Sequence, residues 1–343
     1  MGTVCRLFDL PPDALELVLG SVDDLEDKRA LRLVCKRGRA SVDSRVVAVQ
    51  DVWPPAEPVG QQQLSALVRA PWPLQWLDLS GRELGDAGAA TLAAARWPAL
   101  RYLSLKNNSL GPAGAASIAV AQWPDLVMLD MDTNDVGDIG AASLATVPWP
   151  ALQILALASN NLGDAGAASL AAAHWPALKE LFLASNGLGA AAASSLAAAR
   201  WPALQVLDLG YNSAVGAAGA ASLAAAHWPA LLVLDMDSNN LGNAGVASLA
   251  TAHWPALQKL SLELNRIGAA GAASLAAARF PALQELSLEF NSLGYAGVAA
   301  LFSAARWPAL QSMALLYDNG IEYYWKGLLL AKLRARWPTA RYQ

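Results

Sequence analysis

The chain has 343 residues, of which 55% are hydrophobic and only 15% are charged, and its formal net charge at pH 7 is −4. This composition is too apolar and too poor in charge for an intrinsically disordered chain, and the negative balance excludes a generally basic nucleic-acid-binding domain. The apolar residues are mainly Ala and Leu, interrupted every few positions, so no run is long enough to predict a transmembrane helix.

The N-terminal stretch and the cysteine content bear on the cellular compartment. The stretch reads MGTVCRLFDLPPD and carries acids and prolines where a secretory signal would need an apolar segment. The two cysteines, Cys5 and Cys35, are too few to build a disulfide framework. We therefore expect a reduced intracellular compartment, cytoplasmic or nuclear, without membrane association.

Residues 1–50 contain no copy of the repeat that fills most of the chain. Their apolar spacing predicts three short helices at Asp13–Leu19, Leu25–Val34 and Ala40–Val46, which would form a small helical head. Residues 51–73 are rich in Pro and predict a linker with an N-terminal cap for the repeats.

A Trp-Pro pair recurs every 25–27 residues from Trp72 to Trp307, with Phe280 replacing the Trp once. Self-similarity at this period predicts a solenoid, because each unit can bury its apolar side only against its neighbours. The unit that begins at Leu152 reads LQILALASNNLGDAGAASLAAAHWPA and matches the pattern L-x-x-L-x-L-x-x-N-x-L. We place ten such units in residues 74–320 and a C-terminal capping helix and tail in residues 321–343.

Each unit predicts one strand followed by one helix. Leu155 and Leu157 alternate with small residues, as in a strand, and Ala165–His174 is an Ala-rich helical run. Strands stack about 4.8 Å apart and helices about 8–10 Å apart, so the strands should line the inside of a bend. The expected fold is an α/β solenoid with a curved parallel sheet inside and helices outside. The Trp residues should pack as a column between the coils.

Two polar positions of the unit have expected roles. Asn160 follows the strand, where its amide can hydrogen-bond the backbone of its own coil and of the neighbouring coil; Arg82 replaces it in the first unit and Asp318 in the last. Asp164 is the expected N-cap of the helix that follows.

Strand alternation assigns the residues on either side of the second and third Leu of each unit to the concave side. These positions combine acids with aromatic residues. Solubility alone would explain a solvated charged face, but it does not call for the aromatics. The alternative is a docking surface for a basic protein or peptide, with aromatic anchors for affinity and acids for steering, whereas nucleic acid is disfavoured. The candidate partner-binding residues are Trp76, Asp78, Tyr102, Asp130, Asp132, Phe182, Asp208, Tyr211, Asp235, Asp237, Glu263, Glu289 and Phe290.

Motifs that carry chemistry are missing from the sequence, which contains no GxxxxGK[ST], HExxH, GxSxG or CxxC. The three histidines, His174, His227 and His253, share one repeat position just before the Trp-Pro pair, where Arg stands in other units. We therefore expect no enzymatic activity, no cofactor and no metal site.

The N-terminal segment resembles an F-box, a motif of about forty residues that docks a Skp-family adaptor. The resemblance rests on Leu10-Pro11, on the apolar residues that follow this pair, and on the string LVCKR at residues 33–37. It implies that the head would contact the adaptor through Leu10, Pro11, Leu15, Leu17, Val18, Leu33, Val34 and Cys35.

The repeats resemble the ribonuclease-inhibitor class of leucine-rich repeats, whose helix segment matches the string LGDAGAASLAAA. The whole chain is similar to F-box/leucine-rich-repeat substrate receptors, including the GALA-type proteins of plant-pathogenic bacteria. That likeness implies a non-catalytic subunit of a cullin-type ubiquitin ligase, and delivery of the protein into a host cell stays open. Two alternatives remain at this point: a leucine-rich-repeat scaffold without ubiquitin linkage, in which residues 10–46 are only a cap, and a RanGAP-like GTPase activator.

Overall fold

The structure is a computed structural model and describes residues 47–49, 60–69, 74–315, 317–320 and 341–342. The chain divides into two compact units: unit one comprises Met1–Asn160 and Ala173–Ala177, and unit two comprises Asn161–Ala172 and Leu178–Gln343. The three helices predicted for the head, and with them all the adaptor-binding residues, lie outside the described residues, as does most of the predicted C-terminal cap.

Unit one alternates strands and helices in chain order, as the repeat predicts. Each strand pairs in parallel with the next strand along the chain. The elements are β1 (Val47–Val49), α1 (Gln61–Arg69), β2 (Leu74–Asp78), α2 (Gly85–Ala93), β3 (Tyr102–Ser104), α3 (Pro112–Ala119), β4 (Met128–Asp130), α4 (Gly137–Ala145) and β5 (Ile154–Ala156). Because β1 pairs with β2, the sheet already includes Val47–Val49, inside the range 1–50 predicted for the head.

Unit two repeats the same alternation, again with parallel pairing between consecutive strands. Its elements are α5 (Gly163–Ala172), β6 (Glu180–Phe182), α6 (Ala190–Ala198), β7 (Val206–Asp208), α7 (Gly216–Ala224), β8 (Val233–Asp235), α8 (Gly242–Leu249), β9 (Lys259–Ser261), α9 (Ala269–Ala276), β10 (Glu285–Ser287), α10 (Gly294–Ala304), β11 (Ser312–Ala314) and β12 (Arg341–Tyr342). The predicted α/β repeat architecture is thus confirmed within each unit.

Leucines and small residues fill the space between the strands and the helices. The central Leu of a strand is buried, for example Leu103 and Leu260, and α3 and α9 each bury a Leu or Ile together with Gly and Ala. The small residues are needed because adjacent helices lie very close. A Cβ added to Gly297 on α10 would stand 3.0 Å from the Cα of Ala269 at the start of α9. Gly and Ala therefore set the helix spacing, which a larger side chain would widen.

The Trp residues form the packed column that the sequence predicts. Every Trp of the Trp-Pro pairs from Trp97 to Trp307 is at most 2% exposed, and neighbouring rings stack, with 6.4 Å between the ring centroids of Trp228 and Trp254 and 6.3 Å between those of Trp254 and Phe280. Nε1 of Trp175 donates to the carbonyl oxygen of Val147 at 3.0 Å. In contrast, the enclosed Nε1 atoms of other members have no acceptor, namely those of Trp97, Trp123, Trp201, Trp228 and Trp254.

A second column, of buried Asn side chains, joins each coil to the one before it. Oδ1 of Asn108 accepts a hydrogen bond from the backbone N–H of Arg82 at 2.9 Å, and its Nδ2 donates to the carbonyl of Leu79 at 2.7 Å. The backbone N–H of Asn108 donates in the same way to Oδ1 of Asn134. Arg82 therefore stands at the column position in the first unit, as predicted.

The prediction that Asp318 takes the Asn position in the last unit is wrong, because Asn319 takes it. Nδ2 of Asn319 donates to Leu288 O at 2.9 Å, as Nδ2 of Asn291 donates to Leu262 O at 2.8 Å. The loop before Asn319 carries one extra residue. Nδ2 of Asn319 accordingly bonds a carbonyl four residues back in the chain, whereas that of Asn291 bonds one only three residues back.

The prediction that Asp164 caps its own helix is also wrong. Asp164 lies in the first turn of α5, and its Oδ1 accepts hydrogen bonds from the N–H groups of Gly189 at 2.6 Å and Ala192 at 3.1 Å, at the start of α6. Asp86 caps α3 in the same manner and Asn243 caps α9. These side chains satisfy otherwise unpaired N–H groups of the following coil, and so they fasten two coils together.

Candidate functional site

The candidate residues lie on the face of the strands that points away from the helices, which we call the open strand face. Pleating alternates exposure along each strand, so that Leu103 is buried whereas Tyr102 and Ser104 on either side are half-buried. In unit one this face carries Trp76, Asp78, Tyr102, Asp130 and Asp132. In unit two it carries Phe182, Asp208, Asp235, Asp237, Glu263 and Glu289, with Tyr211 and Phe290 immediately beyond the strand ends.

An aromatic pair stands on the open strand face of unit one. Trp76 and Tyr102 are register partners on β2 and β3, with 5.2 Å between the ring centroids and 30° between the planes. Trp76 is 39% exposed, and the guanidinium carbon of Arg101 lies 6.0 Å from the centroid of the Tyr102 ring. A large, partly exposed aromatic surface of this kind suits an apolar or cationic side chain of a partner.

A chain of hydrogen-bonded hydroxyls and carboxylates crosses the same face. Oδ1 of Asp78 accepts a hydrogen bond from Oγ of Ser80 at 2.6 Å, and this hydroxyl lies 2.8 Å from Oγ of Ser104. Oγ of Ser104 in turn donates to Oδ2 of Asp130 at 3.0 Å. These contacts link three successive coils and hold the carboxylates of Asp78 and Asp130 in fixed positions.

Asp132 lies two residues beyond Asp130 in the same coil and adds a third carboxylate to this set. Its Oδ2 lies 3.6 Å from Nζ of Lys106, and its Oδ1 accepts a hydrogen bond from the N–H of Ala158 at 2.8 Å. Burial raises the pKa of Asp132, and the charge of Asp130 adds to that effect, while the Ala158 N–H and Lys106 oppose it.

In unit two, three carboxylates occupy the same repeat position in successive coils, and we call them the acid row: Asp237, Glu263 and Glu289. Oδ1 of Asp237 accepts hydrogen bonds from Oγ of Ser261 and from the N–H of Glu263, both at 2.7 Å. Oγ of Ser287 donates to Oε1 of Glu263. Oε1 of Glu289 is enclosed and accepts no hydrogen bond.

Two carboxyl groups of the acid row, those of Asp237 and Glu289, are harder to ionise than free carboxyls, as is that of the neighbouring Asp235. Burial, followed by the charge of Asp235, raises the pKa of Asp237 to about 6, although hydrogen bonds from Ser261 and Glu263 favour the charged form. Burial and the charge of Glu263 raise the pKa of Glu289. Burial also raises the pKa of Asp235, and here Lys259 opposes the shift. The row therefore concentrates negative charge in a partly desolvated place.

Beside the acid row lies a set of exposed apolar residues that we call the apolar row: Tyr211 (62% exposed), Leu264 (46%) and Phe290 (44%). They directly precede the Asn of their coils and have φ angles of 59°, 55° and 53°. This left-handed conformation is unusual for bulky residues. Sequence reasoning missed Leu264. The sequence could have indicated this residue, because Leu264 occupies a position at which most other coils carry Ser, Thr or Asn.

A shallow pocket of about 360 Å³ opens next to the apolar row. Leu264, Phe290 and Ser238 line one part of it, and Arg266 contributes a charged side chain to its wall. The remaining lining residues are Ser213, Asn240 and Ser292.

In the part of the chain that the structure describes, no group of three or more His, Cys, Asp or Glu side chains is arranged to hold a metal ion. No helix among the described residues is both long and apolar enough to cross a membrane.

Comparison with known proteins identifies the repeat. A sequence-family model described as "Leucine Rich repeat" matches residues 98–119, 150–171, 202–224, 229–250 and 255–276. These are leucine-rich repeats. Stacked repeats of this class present extended surfaces on which other proteins bind. A search of curated proteins finds no match.

Several solved structures are similar in fold. Yeast Rad7, crystallised in complex with Elc1, aligns with a TM-score of 0.56 at 16% identity over 82% of this chain and 76% of its own. Mouse RP105, from a complex with MD-1, aligns with a TM-score of 0.54 at 17% identity over 81% of this chain but only 44% of its own. The leucine-rich-repeat protein LegL7 of Legionella pneumophila aligns at 0.51 and 18% identity, over 81% of this chain and 95% of its own. At these identities the likeness establishes the fold alone.

Proposed function

We propose that this protein binds a partner protein on its open strand face and acts as the substrate-recognition subunit of a cullin-type ubiquitin ligase. One observation carries the binding half of this proposal: the face bears partly exposed aromatic residues among fixed carboxylates, and the leucine packing beneath needs neither. Trp76 and Tyr211, at 39% and 62% exposed, are types of residue that dominate binding energy at protein interfaces.

The electrostatics favour a basic partner. On the open strand face of unit two, from Glu180 to Glu289, seven carboxylates oppose one ammonium group, that of Lys259; the seven belong to Glu180, Asp208, Asp235, Asp237, Glu263, Glu285 and Glu289. Lys259 lies 3.6 Å from Glu285. Lys or Arg side chains of a partner would relieve the mutual repulsion of the carboxylates and form charge-assisted hydrogen bonds with them.

The ligase half of the proposal rests on sequence. The Leu10-Pro11 pair and the string LVCKR at residues 33–37 resemble the adaptor-docking motif of F-box proteins. Two chains of similar fold, Rad7 and RP105, were each solved in complex with a second protein, which supports a protein partner in general terms. In the proposed arrangement the head binds a Skp-family adaptor and thereby a cullin, while the repeats hold the substrate.

The test of the adaptor link is direct binding of the full chain to a purified Skp-family adaptor, followed by size-exclusion chromatography and calorimetry. We expect a stable one-to-one complex that the double variant Leu10→Ala, Pro11→Ala abolishes. The matched control is Trp76→Ser on the repeats, which should leave adaptor binding unchanged. If the unaltered chain and the double variant both fail to bind, the ligase assignment is wrong.

One observation favours a second candidate, a leucine-rich-repeat scaffold without ubiquitin linkage. Strand β1 pairs with β2, so the segment next to the predicted head continues the sheet of the repeats. A head with a purely capping role would stabilise this first edge. This candidate predicts that removal of residues 1–46 lowers the stability of the repeats, and that the full chain binds its partner but no Skp-family adaptor.

A further inference from the structure

We propose that the acid row and the apolar row of unit two together bind an extended peptide segment in which basic and apolar residues alternate. This inference rests on the proposed function, since it names the partner chemistry of the same face. It is more specific than that function, because it assigns a local site, a backbone conformation and a sequence pattern to the bound segment.

The geometry comes from the placement of the two rows. Leu264 follows Glu263 and Phe290 follows Glu289 directly in sequence, so the two rows run side by side across these two coils. Adjacent coils are joined at this level by backbone hydrogen bonds, from Ser238 N to Glu263 O at 2.9 Å and from Leu264 N to Glu289 O at 3.1 Å. The coils are therefore spaced like neighbouring strands, about 4.8 Å apart.

An extended chain fits the length of the acid row. From Asp237 to Glu289 is two coil steps, or about 10 Å, within which an extended chain at about 3.3 Å per residue places two side chains of the same side about 6.6 Å apart. Successive side chains of an extended chain point to opposite sides. A segment lying along the boundary between the rows therefore directs one set of side chains to the carboxylates and the other set to Leu264 and Phe290.

Charge decides which side chains face the acid row. The carboxylates lie partly buried, and the charge of Glu263 adds to the effect of burial in raising the pKa of Asp237 and of Glu289. Lys259 acts on Asp235 and lies 3.6 Å from Glu285, and neither of these acids belongs to the acid row. A Lys or Arg of the peptide supplies the compensating charge that the row itself lacks.

The lining of the pocket determines which side chains of the peptide face the apolar row. Leu264 and Phe290 form its apolar wall, and Arg266 stands among its polar lining residues. An apolar side chain gains contact with this wall, whereas Lys or Arg would meet the guanidinium of Arg266. Arg266 therefore acts against the reversed register, in which basic residues would enter the pocket.

The test uses the full chain and three fluorescently labelled six-residue peptides, with binding measured by fluorescence anisotropy at physiological ionic strength. One peptide alternates Lys and Leu, the second has the same composition in two blocks, and the third alternates Glu and Leu. We expect the alternating Lys peptide to bind at least tenfold more tightly than the block peptide, and the Glu peptide not to bind. Equal affinity of the two Lys peptides would overturn the inference, since charge alone would then explain binding.

Two double variants probe the rows separately: Asp237→Asn with Glu263→Gln, and Leu264→Ser with Phe290→Ser. Each double variant should lower the affinity for the alternating Lys peptide at least tenfold. The matched control, Asp125→Asn with Asp138→Asn, removes two exposed carboxylates of unit one that belong to neither row and to no strand, and it should change the affinity less than twofold. Circular dichroism verifies that each variant is folded. Unchanged affinity in either row variant would refute the inference.

Peptide binding and adaptor binding together distinguish a failure of this inference from a failure of the proposed function. If the chain binds the adaptor and its substrate while the alternating peptide fails to bind, the peptide site is wrong and the proposed function stands. If the peptide binds as expected but no adaptor complex forms, the ligase assignment fails and the peptide site stands.

Discussion

Replacement of Asn265 by alanine would remove four hydrogen bonds from the Asn column. Oδ1 of Asn265 accepts from the N–H groups of Asn239 at 3.0 Å and Leu241 at 3.2 Å, and its Nδ2 donates to the carbonyls of Met236 at 2.7 Å and Glu263 at 2.9 Å. The side chain is fully buried. At about 1 kcal/mol net for each hydrogen bond, the expected loss is about 4 kcal/mol of unfolding free energy.

Asn239 provides a matched control one coil earlier. It is equally buried, but its Oδ1 accepts no hydrogen bond and only its Nδ2 is paired, with Leu209 O and Asp237 O, both at 2.9 Å. The coil before it carries an extra residue, and there the N–H of Val215 bonds instead to the carbonyl of Asn212 at 2.9 Å. Asn239→Ala should therefore cost about 2 kcal/mol, half the loss at Asn265.

Urea unfolding followed by circular dichroism and Trp fluorescence measures both losses. The difference of about 2 kcal/mol should appear as a lower urea midpoint for Asn265→Ala, with a similar slope for both variants. In a thermal scan this free-energy difference corresponds to melting temperatures that lie roughly 4–8 °C apart for a domain of about this size. Equal destabilisation by the two substitutions would refute the reasoning, since buried volume rather than hydrogen bonding would then set the cost.

Three further predictions test other parts of the structure. Burial raises the pKa of Asp237 from its ordinary value of 3.8 to about 6, so its ionisation destabilises the fold as pH rises through this range. Asp237→Asn should therefore raise the melting temperature at pH 7.5, and the gain should disappear below pH 4. Trp254→Phe should cost less than Trp175→Phe in urea unfolding, because only Trp175 loses an Nε1 hydrogen bond. Asp164→Ala should cost about 1 kcal/mol, since it removes the cap of the next helix, whereas Asp138→Ala, whose carboxylate bonds only the adjacent Ile139 N–H, should cost little.

The repeat architecture could be predicted from the sequence because the same pattern of apolar and small residues recurs in every unit. The period of the Trp-Pro pair, the Leu spacing and the Ala-rich helix runs predict one strand and one helix per coil, and the burial of Leu155 and Trp175 agrees with that expectation. Alternation along a strand also predicts which residues face away from the helices. It places Tyr102 and Asp130 on the open strand face, where the structure has them.

The contacts between coils could not be read in the same way. Asp164 has the sequence signature of a cap for its own helix, but the nearest unpaired N–H groups belong to the following coil. Asp318 aligns with the Asn column by count, yet one extra residue in the loop brings Asn319 there instead. Leu264 is apolar and was not expected at an exposed loop position, because apolar pattern reasoning assigns Leu to the core.

The central claim is that a partner protein contacts the open strand face, and photo-crosslinking from a single position tests it most directly. A photoreactive residue replaces Ser312 on the open strand face or, as a control, the exposed Ala270 on the outer side of α9. We predict a crosslinked partner from a eukaryotic lysate at Ser312 only, and its loss when Asp237→Asn and Glu263→Gln are added. The same crosslinked partner at Ala270 but none at Ser312 would contradict the account.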